Sequence, residues 1–117
     1  MAAAADAAVQ SLLVGEAVEG APAAVFVADD RRCFVAVNRY ACELLGHTRD
    51  ELLDLRVDDV APTSDVEAGF ETLRREGLLA GRTELRRKDG ELVRVRFRAG
   101  ETTVGGIDFW VGVALPD

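Results

Sequence analysis

Hydrophobic and polar positions change their spacing several times along the chain, and each change marks an element. Residues 2–19 are rich in alanine, which favours helix, and Val9, Leu12, Leu13, Ala17 and Val18 fall roughly on one face. "EGAP" at 19–22 breaks that pattern. "AAVFVA" (23–28) and "CFVAV" (33–37) then read as two strands joined by the turn "DDRR". Both are apolar on both faces, which implies a sheet covered on each side, or closed on one side by another subunit. Short helices follow. Asn38 is suited to cap residues 39–45 and Gly46 to stop them. Thr48 and Glu51 form a capping box that starts the helix holding Leu52, Leu53 and Leu55. "VDDVAP" (57–62) predicts one further turn. Ser64 and Glu67 predict a second capping box, for a helix with Val66, Phe70 and Leu73 on one face that ends at Gly77.

The last third alternates with period two. "RTELRR" (82–87) and "LVRVRFR" (92–98) predict a hairpin across "KDGE". Val93, Val95 and Phe97 face one way, and Arg94, Arg96 and Arg98 the other. After Gly105–Gly106, "IDFWVGVAL" (107–115) is the last strand, with Ile107, Phe109, Val111 and Val113 on one face and Asp108, Trp110 and Gly112 on the other. Strands first and last with helices grouped between them predict an α+β fold: a five-stranded antiparallel sheet with short helices on one face and an N-terminal flanking helix. The 117 residues suit one domain, with residues 1–22 as a flanking or dimerisation helix and 23–117 as the folded unit.

Charge excludes some functions. The net charge of −7 argues against general nucleic-acid binding. It is unevenly spread: residues 82–98 carry 7 basic and 3 acidic side chains inside an otherwise acidic chain, which reads as a solvated strand face neutralised by acidic segments. The N-terminal stretch lacks a basic n-region and contains Asp6, Glu16 and Glu19. It is neither a signal peptide nor a membrane span, so a cytoplasmic location is expected, with no membrane partner. Two cysteines make no secreted disulfide framework.

"VFVADDRRCFVAVN", "NRYACELLGHTRDELLDL" and "RRKDGELVRVRF" stand in this order, and together they resemble the Per-Arnt-Sim (PAS) sensor-domain family from about Ala23 to Leu115. Asp29 and Asn38 match the polar positions of the family's first hairpin. Asn38, Leu45, Gly46, Thr48, Glu51 and Leu52 match its N-x-x-x-x-x-L-x-G-y-[ST]-x-x-E-L segment. Arg32 departs from the pattern, standing where the family's first turn often has glycine.

The reactive residues are few. His47, the only histidine, lies five residues after Cys42. Cys33, Cys42 and His47 match no zinc spacing, and free cysteines are commonly small buried hydrophobes. The resemblance implies that haem is not expected, since the later helix where the family places its ligand has no histidine. It also implies no flavin photochemistry, because the N-C-R-F-L-Q motif is missing. No nucleophile–base pair, phosphate loop or G-x-S-x-G is present, so no enzyme activity is expected, an isomerase-like reaction included. Cys42 and His47 read as parts of a helical joint.

The resemblance also implies a small cavity, walled by Phe34, Ala36, Leu53, Val57, Val60, Phe70, Leu73, Leu79, Leu85, Val95, Val111 and Val113. These side chains either fill the core or admit an apolar molecule such as a fatty acid. Phe26 and Trp110 are expected on the opposite face, among the arginines, covered by the N-terminal helix of the same chain or of a partner. A homodimer through Val9, Leu12, Leu13, Phe26 and Trp110 is therefore expected. The implied function is sensory, relaying a signal to an effector domain (a kinase, cyclase or transcription regulator) in a longer protein or a separate partner. The alternative is an interaction module without a ligand.

Overall fold

The computed structural model describes residues 3–117, with side chains described from Ala7 onward. The elements are α1 (Ala3–Glu19), β1 (Ala24–Ala28), β2 (Phe34–Val37), α2 (Arg39–Leu45), α3 (Arg49–Leu53), a 3-10 turn (Val57–Asp59), α4 (Thr63–Glu76), β3 (Leu78–Arg86), β4 (Leu92–Val104) and β5 (Ile107–Pro116). The five strands form one sheet in the order β2-β1-β5-β4-β3, every neighbouring pair antiparallel. This is the α+β architecture that the patterning predicts. The first residue of the predicted helix, Ala2, and the side chain of Asp6 lie outside the described residues.

The local signals explain most boundaries. Asn38 caps α2 by accepting from the Ala41 N–H, and Gly46 ends it in the left-handed region at φ 71°. Thr48 and Glu51 form both halves of the capping box on α3. The second capping box does not form. The helix begins two residues earlier than a Ser64 cap would place it, at Thr63, directly after Pro62. Proline holds φ at −58°, already close to helical, so the chain turns before Ser64 can act as a cap. Two strands run longer than the alternation suggests. Leu78–Gly81 pair with Phe97–Gly100, and β4 continues to Val104, where Gly105 and Gly106 (φ 60° and 79°) form a two-residue turn into β5.

The core lies between the sheet and the short helices. Ala41, Leu44, Leu45 and Leu52 pack with Phe34, Val37, Leu85, Val95 and Ala114. A bulge in β2 decides which residues join it. Val27 pairs with Ala36 and Ala28 with Phe34, so Val35 is an extra residue and the alternation skips there. Phe34 and Val37 both turn inward, while Ala36 joins Val27 on the outer face.

Among the described residues, α1 is anchored at its C-terminal end. Asn38 Nδ2 donates to the Val18 carbonyl at 2.8 Å, and Glu19 pairs with Arg49 at 2.6 Å. The rest projects, leaving Val9, Leu12 and Leu13 at 56, 67 and 62% exposure. No helix among the described residues is long and apolar enough to cross a membrane.

Candidate functional site: an apolar cavity beside a hydrogen-bonded joint

Helix α4 does not lie flush on the sheet. Between them is a cavity of about 390 Å³. Its floor is the segment 55–60, pinned by backbone bonds at both ends. The Phe34 N–H donates to the Leu55 carbonyl, Val57 N–H to Arg32, and Arg86 N–H to Val60. Val66, Phe70 and Leu73, buried on one face of α4, form the roof. Inward residues of the sheet make the back wall, among them Val95, Leu85 and Ala114.

Phe34, Val57, Val60, Phe70, Leu73, Leu79, Leu85 and Val95 all lie on this wall, as the resemblance implies. Val113 borders it too, although alternation with Gly112 and Ala114 sends its side chain to the other face. Ala36, Leu53 and Val111 are not on the wall. The bulge at Val35 turns Ala36 outward, beside Gly15 and Val18 of α1. Leu53 is exposed at the end of α3. Val111 sits between Trp110 and Gly112, both of which face the cavity, so its own side chain takes the outer face.

The largest correction concerns Phe26 and Trp110. Both face the cavity rather than the outer surface, and α1 covers neither. Phe26 packs on Phe34 with centroids 5.4 Å apart, and its partner across the ladder is Gly112. Trp110 meets Phe70 edge-on at 6.0 Å. The alternation in β5 is as read from the sequence, but the face turned to the helices is the one carrying Trp110, Gly112 and Ala114. The arginines Arg94, Arg96 and Arg98 do lie exposed on the outer face, opposite Val95 and Phe97.

Polar and minimal side chains also line the wall, among them Asp65, Gly69 and Thr72 on α4 and Arg82 and Thr83 on β3. The Thr83 hydroxyl donates to Asp65 Oδ2 at 3.1 Å, bridging helix and edge strand. A periodicity scan for apolar residues passes over them, yet Asp65 and Gly69 stand four apart on one helix face.

The joint between α2 and α3 is the polar counterpart of the cavity. Asn38, 3% exposed, accepts through Oδ1 from Val25 and Ala41 N–H and donates through Nδ2 to Val18 and Ala23 carbonyls. Cys42 and His47 meet here through the backbone: the Cys42 carbonyl accepts from Gly46 and His47 N–H. Neither residue is on the cavity wall. Burial pushes the Cys42 thiol up, away from a reactive thiolate. Among the described residues, no three His, Cys, Asp or Glu side chains gather as a metal site would require.

A protein-family profile described as PAS domain matches residues 22–113. No curated protein sequence matches the chain. Its fold is similar to a PAS domain of a two-component sensor histidine kinase, with TM-score 0.83 and 18% identity, covering 95% of this chain and 99% of that one. It is similar too to the PAS domain of an HTR-like protein from Haloarcula marismortui, with TM-score 0.82, 18% identity and 92% of each chain covered. A domain of a sensory box sensor histidine kinase/response regulator from Geobacter sulfurreducens aligns at TM-score 0.73 and 24% identity, over 90% of this chain and 92% of that one. The profile spans most of the residues, and the five-stranded sheet with its flanking helices is the fold the sequence resemblance implies; the chain belongs to the PAS domain family.

Proposed function

We propose that this PAS domain is a sensory module in which a small apolar molecule, of which a fatty acid is the simplest example, occupies the cavity beneath α4. The observation that carries the reading is the cavity itself: about 390 Å³, walled mostly by aromatic and aliphatic side chains. That volume is at the low end of the ~300–1,000 Å³ usual for small-molecule sites, which favours a compact or slender ligand. Occupancy would press on α4 and on β5 through Trp110. β5 is the centre of the sheet and carries the strain to both edges. The output is an effector domain of a cytoplasmic signalling protein; two of the structural relatives come from sensor histidine kinases, which makes a kinase the leading partner class.

Native mass spectrometry of the protein as purified tests this. Bound mass that leaves on denaturation supports the sensory reading and identifies the ligand class. A clean apo mass that persists after incubation with apolar extracts removes it.

A second reading, an interaction module working by homodimerisation, is favoured by the exposed Val9, Leu12 and Leu13 of α1 and by Val113 and Leu115, each 41% exposed on the outer sheet face. Phe26 and Trp110, turned inward, are no part of it. Sedimentation is expected to show a dimer that Leu12→Glu with Leu13→Glu dissociates. A monomeric wild type rules this reading out.

A further inference from the structure

The cavity has an asymmetry that bears on what enters it. Its interior is aromatic and aliphatic, but its α4–β3 side is lined by Asp65, Gly69, Thr72 and Thr83. On this side the helix approaches an edge strand, and Asp65 is exposed to solvent, so this is the mouth.

The hydrogen-bonding capacity of the mouth is one-sided. The Thr83 hydroxyl already donates to Asp65 Oδ2, and the Thr72 hydroxyl to the Ala68 carbonyl. What these side chains have left is acceptor capacity: the second carboxylate oxygen of Asp65 and the hydroxyl lone pairs. The nearest cation in sequence, Arg82, also borders the cavity, but register places it opposite Arg96 on the outer face, and its Nε pairs with Asp117 at 3.1 Å. Among the described residues, no arginine or lysine forms an ion pair with Asp65.

We infer that the cavity selects apolar molecules bearing a neutral or cationic hydrogen-bond donor at one end (a hydroxyl or an amine), with Asp65 as the specificity-determining residue that accepts from that group and repels a carboxylate. This rests on the sensory reading above and narrows it: of the apolar chains that fit the interior, the free fatty acid is the disfavoured one. A carboxylate at the mouth would offer only acceptors to acceptors, beside a like charge. An alcohol or an ammonium would find a partner. Thr83 orients Asp65, so it is a positioning residue.

Trp110 is the only tryptophan and lies on the wall, so its emission reports entry directly. The probes are 1-decanol, decylamine and decanoate, each below its micellar concentration. For the wild type, the alcohol and the amine are expected to change Trp110 emission saturably at concentrations about tenfold lower than decanoate, as one like-charge contact near the surface would dictate. Asp65→Asn, at an exposed position, is expected to bring decanoate level with the alcohol. Thr83→Val, which removes the orienting bond and keeps the charge, should weaken the alcohol about threefold while decanoate stays disfavoured. Decanoate binding to the wild type as well as the alcohol would overturn the selectivity and leave the sensory reading standing. A preference unchanged in Asp65→Asn would overturn the role of Asp65. Silence from all three probes would overturn both.

Discussion

The joint around Asn38 and the cavity beneath α4 lie against the same sheet and are held together differently. At the joint, one buried amide makes four bonds, to the end of α1, the start of β1 and the first turn of α2. Two more links converge there. The Lys88 N–H of the β3–β4 turn donates to the Leu45 carbonyl, and the Arg87 guanidinium donates to that of Leu44. These bonds are directional, and each fixes an angle. The cavity has a single side-chain bond across its mouth, from Thr83 to Asp65, and is otherwise bounded by contacts without direction. A sensor needs both kinds of region: one that keeps its geometry whatever the signal, and one whose occupancy can vary at little cost in backbone structure.

The largest effect is expected at the joint. Asn38→Ala removes the α2 cap and leaves the Val25 N–H and the Val18 and Ala23 carbonyls without their partner. The loss should be about 4 kcal/mol, from one cap at ~1 kcal/mol and the desolvation of three backbone groups at ~1 kcal/mol each. Thermal melting should fall by roughly 15 °C on the scaling for a domain of this size. A change below about 1 kcal/mol would mean that water replaces the amide, and that the joint is less constrained than its bonds suggest.

Two glycines on the cavity wall sharpen the contrast, because the same substitution meets a side chain at one and open space at the other. A Cβ built at Gly69 would stand 2.9 Å from Leu79 Cδ2, where α4 meets β3. Gly69→Val makes the flexible end of Leu79 swing toward the cavity it borders, which should cost at most about 1 kcal/mol and reduce the open volume. A Cβ at Gly112 meets nothing within 4 Å, and no positive φ constrains the residue. Gly112→Val therefore projects into open volume, improves strand propensity, and should leave stability unchanged or raise it by up to about 0.5 kcal/mol. It should also reduce uptake of any cavity ligand. Denaturant unfolding of the two variants side by side is the check. Equal destabilisation would show that the space under α4 is not free to be filled.

How much of this was legible in the sequence follows the same division. The joint announces itself, because Asn38, Gly46, Thr48 and Glu51 act through short-range capping and backbone conformation, which depend on neighbours in sequence. The inner and outer faces of β4 were equally readable, since valine and phenylalanine alternate strictly with arginine. β5 was not. Its odd positions are Ile107, Phe109, Val111 and Val113, the more uniformly apolar set, yet the helices lie over the even positions with Trp110, Gly112 and Ala114. Apolarity alone cannot choose between two faces when both are largely apolar and the outer one is also partly covered. The inversion of Ala36 had no local signal either: the bulge at Val35 is set by pairing with β1, and a single extra residue reverses everything beyond it. Asp65 and Thr83 escaped notice because each is an ordinary surface residue until α4 and β3 are brought together.

The smallest expected effect is a pH dependence at the joint. Glu51 is held down to about 2, first by the hydrogen bond from the Lys88 ammonium and then by the Thr48 N–H of the capping box. Its ordinary value is 4.5, so the folded state binds this proton more weakly than the unfolded state does. The stability it contributes is therefore fully present above pH 4.5 and is lost as pH falls from there through about 2. The carboxylate is exposed, and salt should screen much of the benefit. The melting difference between wild type and Glu51→Gln should accordingly be largest near neutral pH in low salt, shrink on acidification across that window, and shrink again at high ionic strength. Lys88→Met should raise the midpoint of Glu51 in a carboxyl NMR titration, leaving the part due to Thr48. An unshifted Glu51 in the wild type would remove the link between α3 and the β3–β4 turn, whose other bonds run to Leu44 and Leu45 of α2, and the joint would owe its rigidity to those bonds and to Asn38.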